Sequence, residues 1–290
     1  MRRRALPTAL AGVLAAAVLA LVAACAGPAP TAPAATPRAE SSATPSATPD
    51  PFPRQPLRPT TRYVALGDSF AAGMGGGGET GKCRSSEASY PDVFTRESGV
   101  DLVVNAACSG ATTSDLLRKQ LISLDDRTDL VTVSIGGNDL GVVAIAADCA
   151  AGKAASCRSQ LTSALSLLNV LPQRLGTVYD AILQAAPNAR VVVTGYALLY
   201  DASNPGAKDF GMAAAINAAT IGLNQVIDDA VDAERAKGAP MTYVGVDFAG
   251  HAIGDSEPWV HTSGVDAFHP TADGYAEYAR QLVRRLGTAD

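Results

Sequence analysis

Three observations predict that this chain is an α/β protein, a single three-layer α/β/α domain on a parallel sheet. Short, continuous apolar runs rich in β-branched residues lie at 63–66, 102–104, 130–135, 191–194 and 241–246. Between and after them come segments with helical spacing, notably 159–186, 210–237 and 271–286. Unbroken apolar strands that alternate with amphipathic helices indicate a sheet covered on both faces. Third, several runs lead directly into short motifs of small and polar residues, and parallel sheets gather functional groups at the carboxyl ends of their strands.

The first run opens into Gly67-Asp68-Ser69-Phe70, followed by a glycine-rich stretch at 75–78. The second precedes Asn105-Ala106-Ala107-Cys108-Ser109-Gly110, and the third precedes Gly136-Gly137-Asn138-Asp139. Near the end, Asp266-Ala267-Phe268-His269-Pro270 stands just ahead of the last helical segment.

These motifs make chemical sense together. A serine hydroxyl is a weak nucleophile until a base takes its proton, and that base needs a third group to fix its tautomer. Ser69 and His269 are the expected nucleophile and base, with Asp266, three residues before the histidine, as the third group. Asn138 has an amide to donate to an oxyanion, and Gly110 lets a backbone N–H come close to a substrate. With the N–H of Ser69 itself, these are the expected oxyanion donors.

The four blocks, in this order, resemble the SGNH (GDSL) hydrolase superfamily. Its serine, glycine, asparagine and histidine blocks match at Ser69, Gly110, Asn138 and His269, and its acid matches at Asp266. The stretches GDSFAAG, ACSGATT and IGGND are similar to the actinobacterial secreted esterase and lipase branch, and the resemblance spans about residues 62–286. It implies a flavodoxin-like fold with a central, mostly five-stranded parallel sheet. The implied activity is hydrolysis of esters through an acyl-enzyme, without cofactor or metal. Two departures matter. Phe70 replaces the leucine of the family name. Some members of that branch hold the histidine with a main-chain carbonyl three residues before it, a place occupied here by Asp266.

The rest of the chain sets the context. Arg2, Arg3 and Arg4 precede an apolar stretch at 9–22, and Leu21-Val22-Ala23-Ala24-Cys25 resembles a bacterial lipobox. Residues 1–24 are therefore expected to be a signal peptide, with Cys25 lipidated. The apolar stretch is shorter than the roughly 20 residues needed to span a bilayer. Residues 25–60 are rich in Pro, Ala, Thr and Ser, a composition that cannot bury enough apolar surface to order itself, and read as a tether. The hydrolase domain is expected at 61–290, exported and held at the outer face of the membrane through Cys25, or else secreted. Loss of the three arginines takes the formal charge from −5 to −8, which disfavours nucleic acid as a partner; a monomer is expected. Four further cysteines, Cys83, Cys108, Cys149 and Cys157, suit disulfides in an exported protein but allow three pairings. The resemblance favours Cys83 with Cys108 and Cys149 with Cys157.

Rival readings are weaker. Residues 76–82 have the glycine and lysine spacing of a phosphate-binding loop, but Cys83 stands where that loop needs Ser or Thr. An α/β-hydrolase elbow needs glycine at position 71, which is alanine. His251 and His261 show no metal-ligand spacing, Trp259 reads as packing, and Asp68 and Asp139 read as loop residues bonding nearby backbone. A polysaccharide O-deacetylase, an acyltransferase on the same triad, or a non-catalytic surface lipoprotein are the alternatives to a carboxylesterase or lipase.

Overall fold

The five apolar runs become the strands β1 (Arg62–Gly67), β2 (Asp101–Asn105), β3 (Leu130–Ser134), β4 (Arg190–Thr194) and β5 (Met241–Val244). They form one fully parallel sheet in the order β2-β1-β3-β4-β5, the α/β architecture expected. The central strand β3 is buried at every position, whereas edge strand β2 is at most half-buried along its length. This computed structural model describes residues 56–206 and 210–287. The signal segment, Cys25 and most of the tether lie outside the described residues.

The helices are α1 (Ser69–Ala72), α2 (Tyr90–Ser98), α3 (Thr113–Lys119), α4 (Gly137–Leu140), α5 (Val142–Ala150), α6 (Ala154–Leu168), α7 (Leu171–Ala185), α8 (Phe210–Ala236) and α9 (Ala272–Leu286). α2 and α9 pack together over one face of the sheet, and α3, α7 and α8 cover the other. Buried tyrosines bind the first layer to the sheet. Tyr90 and Tyr278 stack with centroids 4.3 Å apart, the Tyr63 hydroxyl lies 2.6 Å from Thr132 Oγ1, and Tyr278 donates to Thr194 Oγ1 at 2.7 Å. Each ring buries apolar area while its hydroxyl finds a partner, so the burial carries no unpaired polar group.

The segment expected to be one helix over 159–186 is two, α6 and α7. Pro172 occupies the second position of α7; its ring would clash with the carbonyl of Leu168 in a continuous helix, and it has no N–H to donate. The preceding α5 lacks a sequence signature because it is short and bounded by glycine rather than by a side-chain cap. Both disulfides have the pairing the resemblance implied, Cys83–Cys108 and Cys149–Cys157. The second ties α5 to α6.

The strand order reverses between β1 and β3: the chain passes from β1 outward to β2 and then returns to the far side of β1. Crevices at such switch points are where parallel sheets bind ligands. Ser69 follows β1 and Asn138 follows β3, so the two motifs meet there.

Candidate active site

Ser69 is the first residue of α1, and its position is built into the turn that leaves β1. Gly67 has φ +139°, and a Cβ there would lie 2.3 Å from the Ser134 carbonyl oxygen, so only glycine allows β1 to pass this close to β3. The amide of Gln120 grips Gly67 on both sides, accepting from its N–H and donating to its carbonyl, each at 2.8 Å. Asp68 then caps α1 by accepting from the Phe70 N–H at 3.0 Å.

His269 reaches the same point from the other end of the chain. Its Nε2 lies 2.8 Å from Ser69 Oγ, and both residues are buried. Its Nδ1 lies 3.1 Å from the Ala267 carbonyl oxygen. A carbonyl can only accept, so Nδ1 carries the proton and Nε2 presents its lone pair to the serine hydroxyl. That is the tautomer a general base requires. The main chain around the histidine is pinned: the His261 N–H donates to the His269 carbonyl at 2.9 Å, and the Phe268 N–H to the His261 carbonyl at 2.8 Å. Phe268 adopts φ +69°, a costly conformation for a bulky residue that turns the chain immediately before His269.

Asp266 is the point of difference from the sequence expectation. Its carboxylate lies not on His269 Nδ1 but on Arg84 Nη2, at 2.5 Å, while its carbonyl accepts from the His269 backbone N–H at 3.0 Å. The carbonyl at Nδ1 is that of Ala267, two residues before the histidine rather than three. The reason lies in the other loop: Cys83 is bonded to Cys108, which places the adjacent Arg84 opposite Asp266. Burial, the largest influence, holds the His269 pKa below the ordinary histidine value, against the hydrogen bonds from its loop that raise it.

The expected oxyanion donors lie in loops that the fold joins. The Asn138 side-chain amide donates to the Ala111 carbonyl at 3.0 Å, linking the loop after β3 to the loop that carries Gly110. Gly110 is exposed with φ +78°. The same loop is held to the serine turn by the Cys108 N–H donating to the Gly67 carbonyl at 3.1 Å. Asp139 reaches the first turn of α3, where Thr112 is the cap, and accepts from the Thr113 N–H at 2.8 Å and hydroxyl at 2.6 Å, 26 positions away rather than in its own loop. A narrow apolar pocket opens beside Ser69 and Asn138, walled by Phe70, Val142, Val143, Leu199, Leu223 and Phe268.

The other singled-out residues sit elsewhere. His251 stacks on Trp259 with centroids 3.5 Å apart and bonds the Glu257 carbonyl. The glycine-rich stretch is held by Glu79, which accepts from the Gly75 and Gly77 N–H groups, and by His261 Nε2, which donates to the Gly75 carbonyl at 2.8 Å. It opens no helix, so the phosphate-loop geometry is absent. Two residues of the site escaped the sequence reading, Arg84 and Tyr196. Tyr196 donates from its hydroxyl to the Asp68 carboxylate at 2.6 Å. A tyrosine just past a strand end was the available signal.

Known proteins resemble this chain in sequence and fold. The model of the GDSL-like Lipase/Acylhydrolase family matches residues 65–277. A lipase of Streptomyces rimosus is 37% identical over 75% of this chain and 83% of its own length, and Lipase 1 of Streptomyces coelicolor is 36% identical over 73% and 81%. The crystal structure of the extracellular lipase from Streptomyces rimosus superposes with a TM-score of 0.70 at 35% identity, covering 78% of this chain and 99% of that one. Phospholipase A1 from Streptomyces albidoflavus gives 0.68 at 34%, with the same coverage. With a five-stranded parallel sheet, a serine in the expected GDS turn and relatives of this similarity, the chain belongs to the GDSL-like lipase/acylhydrolase family of ester hydrolases.

Proposed function

We propose that the protein is an exported serine hydrolase that cleaves carboxylic esters of acyl chains through an acyl-enzyme on Ser69. The observation that carries this reading is the 2.8 Å contact between Ser69 Oγ and His269 Nε2, with Nδ1 held on a carbonyl. His269 takes the serine proton as Oγ attacks the ester carbonyl. The developing oxyanion accepts from the Ser69 N–H, the Gly110 N–H and the Asn138 amide. Collapse expels the alcohol, which takes the proton from His269. Water, deprotonated by the same imidazole, then releases the acid and restores Ser69. The Ala267 carbonyl orients the base, and Asp266 acts from one step away, paired with Arg84.

The apolar pocket beside Ser69 supports an acyl chain as the group bound there, which favours a lipid-type ester over an acetylated glycan; the lipase and phospholipase names of the relatives point the same way. The paired cysteines support export. We place the signal peptide at 1–24, a tether at 25–60 and the hydrolase domain at 61–290, with a lipid on Cys25 holding the enzyme at the membrane. Separation of cells into membrane and medium fractions, with Cys25→Ser alongside, tests the anchoring.

The activity is tested with p-nitrophenyl esters from acetate to palmitate. Hydrolysis is expected, with an optimum beyond acetate, and Ser69→Ala is expected to abolish it. Persistence of activity in Ser69→Ala would remove the serine mechanism, and an optimum at acetate would favour deacetylation.

A further inference from the structure

We propose that Tyr196 is a positioning residue that sets the oxyanion donor Asn138 against the nucleophile, through a buried path of hydrogen bonds from Asp68 to Gly137. The proposal rests on the role given above to Asn138.

The path joins the two residues that immediately precede the reacting groups. Asp68, before Ser69, uses one carboxylate oxygen to cap α1 and the other to accept from the Tyr196 hydroxyl at 2.6 Å. That hydroxyl in turn accepts from the N–H of Gly137, the residue before Asn138, at 3.1 Å. A phenol has one proton and can also accept, so a single oxygen satisfies both neighbours in the observed sense. Asp68, Gly137 and Tyr196 are all buried. Water does not replace such bonds, and loss of one leaves an unpaired group.

The phenol is itself fixed from behind. Asn224 of α8 accepts from the Tyr196 N–H at 2.9 Å and donates to its carbonyl at 2.8 Å, so both main-chain groups are held by one side chain. The Phe70 ring packs edge-on against Tyr196 at 5.0 Å. Gly137 has no Cβ, and one added there would lie 3.2 Å from the hydroxyl oxygen. The glycine therefore admits the phenol to the backbone that carries Asn138. Burial, followed by the Asp68 charge, pushes the Tyr196 pKa well up, so the hydroxyl keeps the proton it donates. Three strand ends are thus locked together: Asp68 after β1, Gly137 after β3 and Tyr196 after β4. The Asn138 side chain is tethered separately to the Ala111 carbonyl. The phenol fixes its main chain, and the Ala111 carbonyl its amide.

A group that only packs the core lowers stability wherever it is removed. A group that acts through Asn138 loses its catalytic effect once that amide is gone. The experiment is a double-mutant cycle with Tyr196→Phe and Asn138→Ala, measuring kcat and KM on p-nitrophenyl butyrate. Tyr196→Phe is expected to lower kcat about 10- to 100-fold with KM within about twofold, since the ring stays in place. In the Asn138→Ala background the same change is expected to cost less than about threefold. An equal loss in both backgrounds, or no loss in either, overturns the proposal. If Asn138→Ala alone retains full kcat, the oxyanion role fails first and is seen to fail. Asp68→Asn provides a second route should Tyr196→Phe not fold: it keeps the oxygen that caps α1 and exchanges the acceptor of the phenol for an N–H. The same loss of kcat and the same dependence on Asn138 are expected.

Discussion

As the proposed base, His269 needs a proton fixed on Nδ1 and a free lone pair on Nε2, and a single carbonyl oxygen meets both. With the Ala267 carbonyl at 3.1 Å from Nδ1, a carboxylate is not needed to choose the tautomer, although a carboxylate would also stabilise the imidazolium formed during the reaction. Asp266 contributes to that only at a distance, because Arg84 neutralises it at 2.5 Å. Asp266→Asn is therefore expected to keep kcat within about tenfold of the parent, far from the roughly 10⁴-fold loss seen when a directly bonded triad aspartate is replaced. A stopped-time ester assay decides it, and a loss near 10⁴-fold would put the carboxylate back on Nδ1 during turnover. The meeting of Ser69 with His269 was readable in the sequence because each lies in a motif whose chemistry is local to a few residues. Arg84 and Tyr196 were not, since their meaning depends on partners 182 and 128 positions away. The contact of the Asp266 carboxylate was not legible for the same reason: proximity in sequence suggested His269, and in the structure Arg84, next to the disulfide-bonded Cys83, takes it.

Among the elements, strands were the most legible and helix boundaries the least. A buried parallel strand is an unbroken apolar run, and all five runs became strands; the break between α6 and α7 depends on one proline whose effect spacing alone did not reveal. The two disulfides act on different elements, so their removal should differ in kind. Cys83–Cys108 closes 25 residues, which corresponds to about 3.5 kcal/mol of loop entropy. It also holds the loop of Gly110 and places Arg84. Cys149–Cys157 closes 8 residues, about 2.5 kcal/mol, and braces α5, whose Val142 and Val143 wall the pocket. Replacing the first pair by serine is expected to lower kcat on every ester along with thermal stability. Replacing the second is expected to spare acetate and lower kcat/KM for longer chains. Melting curves and the ester series on both variants check this, and identical activity profiles would show that the bridges are interchangeable staples.

At the scale of the whole molecule, the site is held together by a group that works against folding. Asp68 is buried, and desolvation, opposed by its hydrogen bonds from Tyr196 and Phe70, raises its pKa from the ordinary 3.8 to about 7. A carboxyl whose folded pKa is raised keeps its proton longer in the folded state than in the unfolded one. Between 3.8 and about 7 the folded chain binds more protons, so stability falls as pH rises. The cost of the buried charge is absent below 3.8, where the carboxyl is protonated in both states, and complete above about 7. The gap corresponds to about 4 kcal/mol, a sizeable share of the 5–15 kcal/mol typical of a whole domain. Asn in place of Asp68 keeps an oxygen for the Phe70 N–H but has no proton to lose. Asp68→Asn is therefore expected to gain on the parent in denaturant midpoint as pH is raised from 5 to 8, while its turnover is lower at every pH. Urea unfolding of both proteins across that range tests the point. A parent whose stability is flat or rising from pH 5 to 8 relative to Asp68→Asn would mean that the carboxylate is already ionised at pH 5, its charge fully carried by Tyr196 and the first turn of α1.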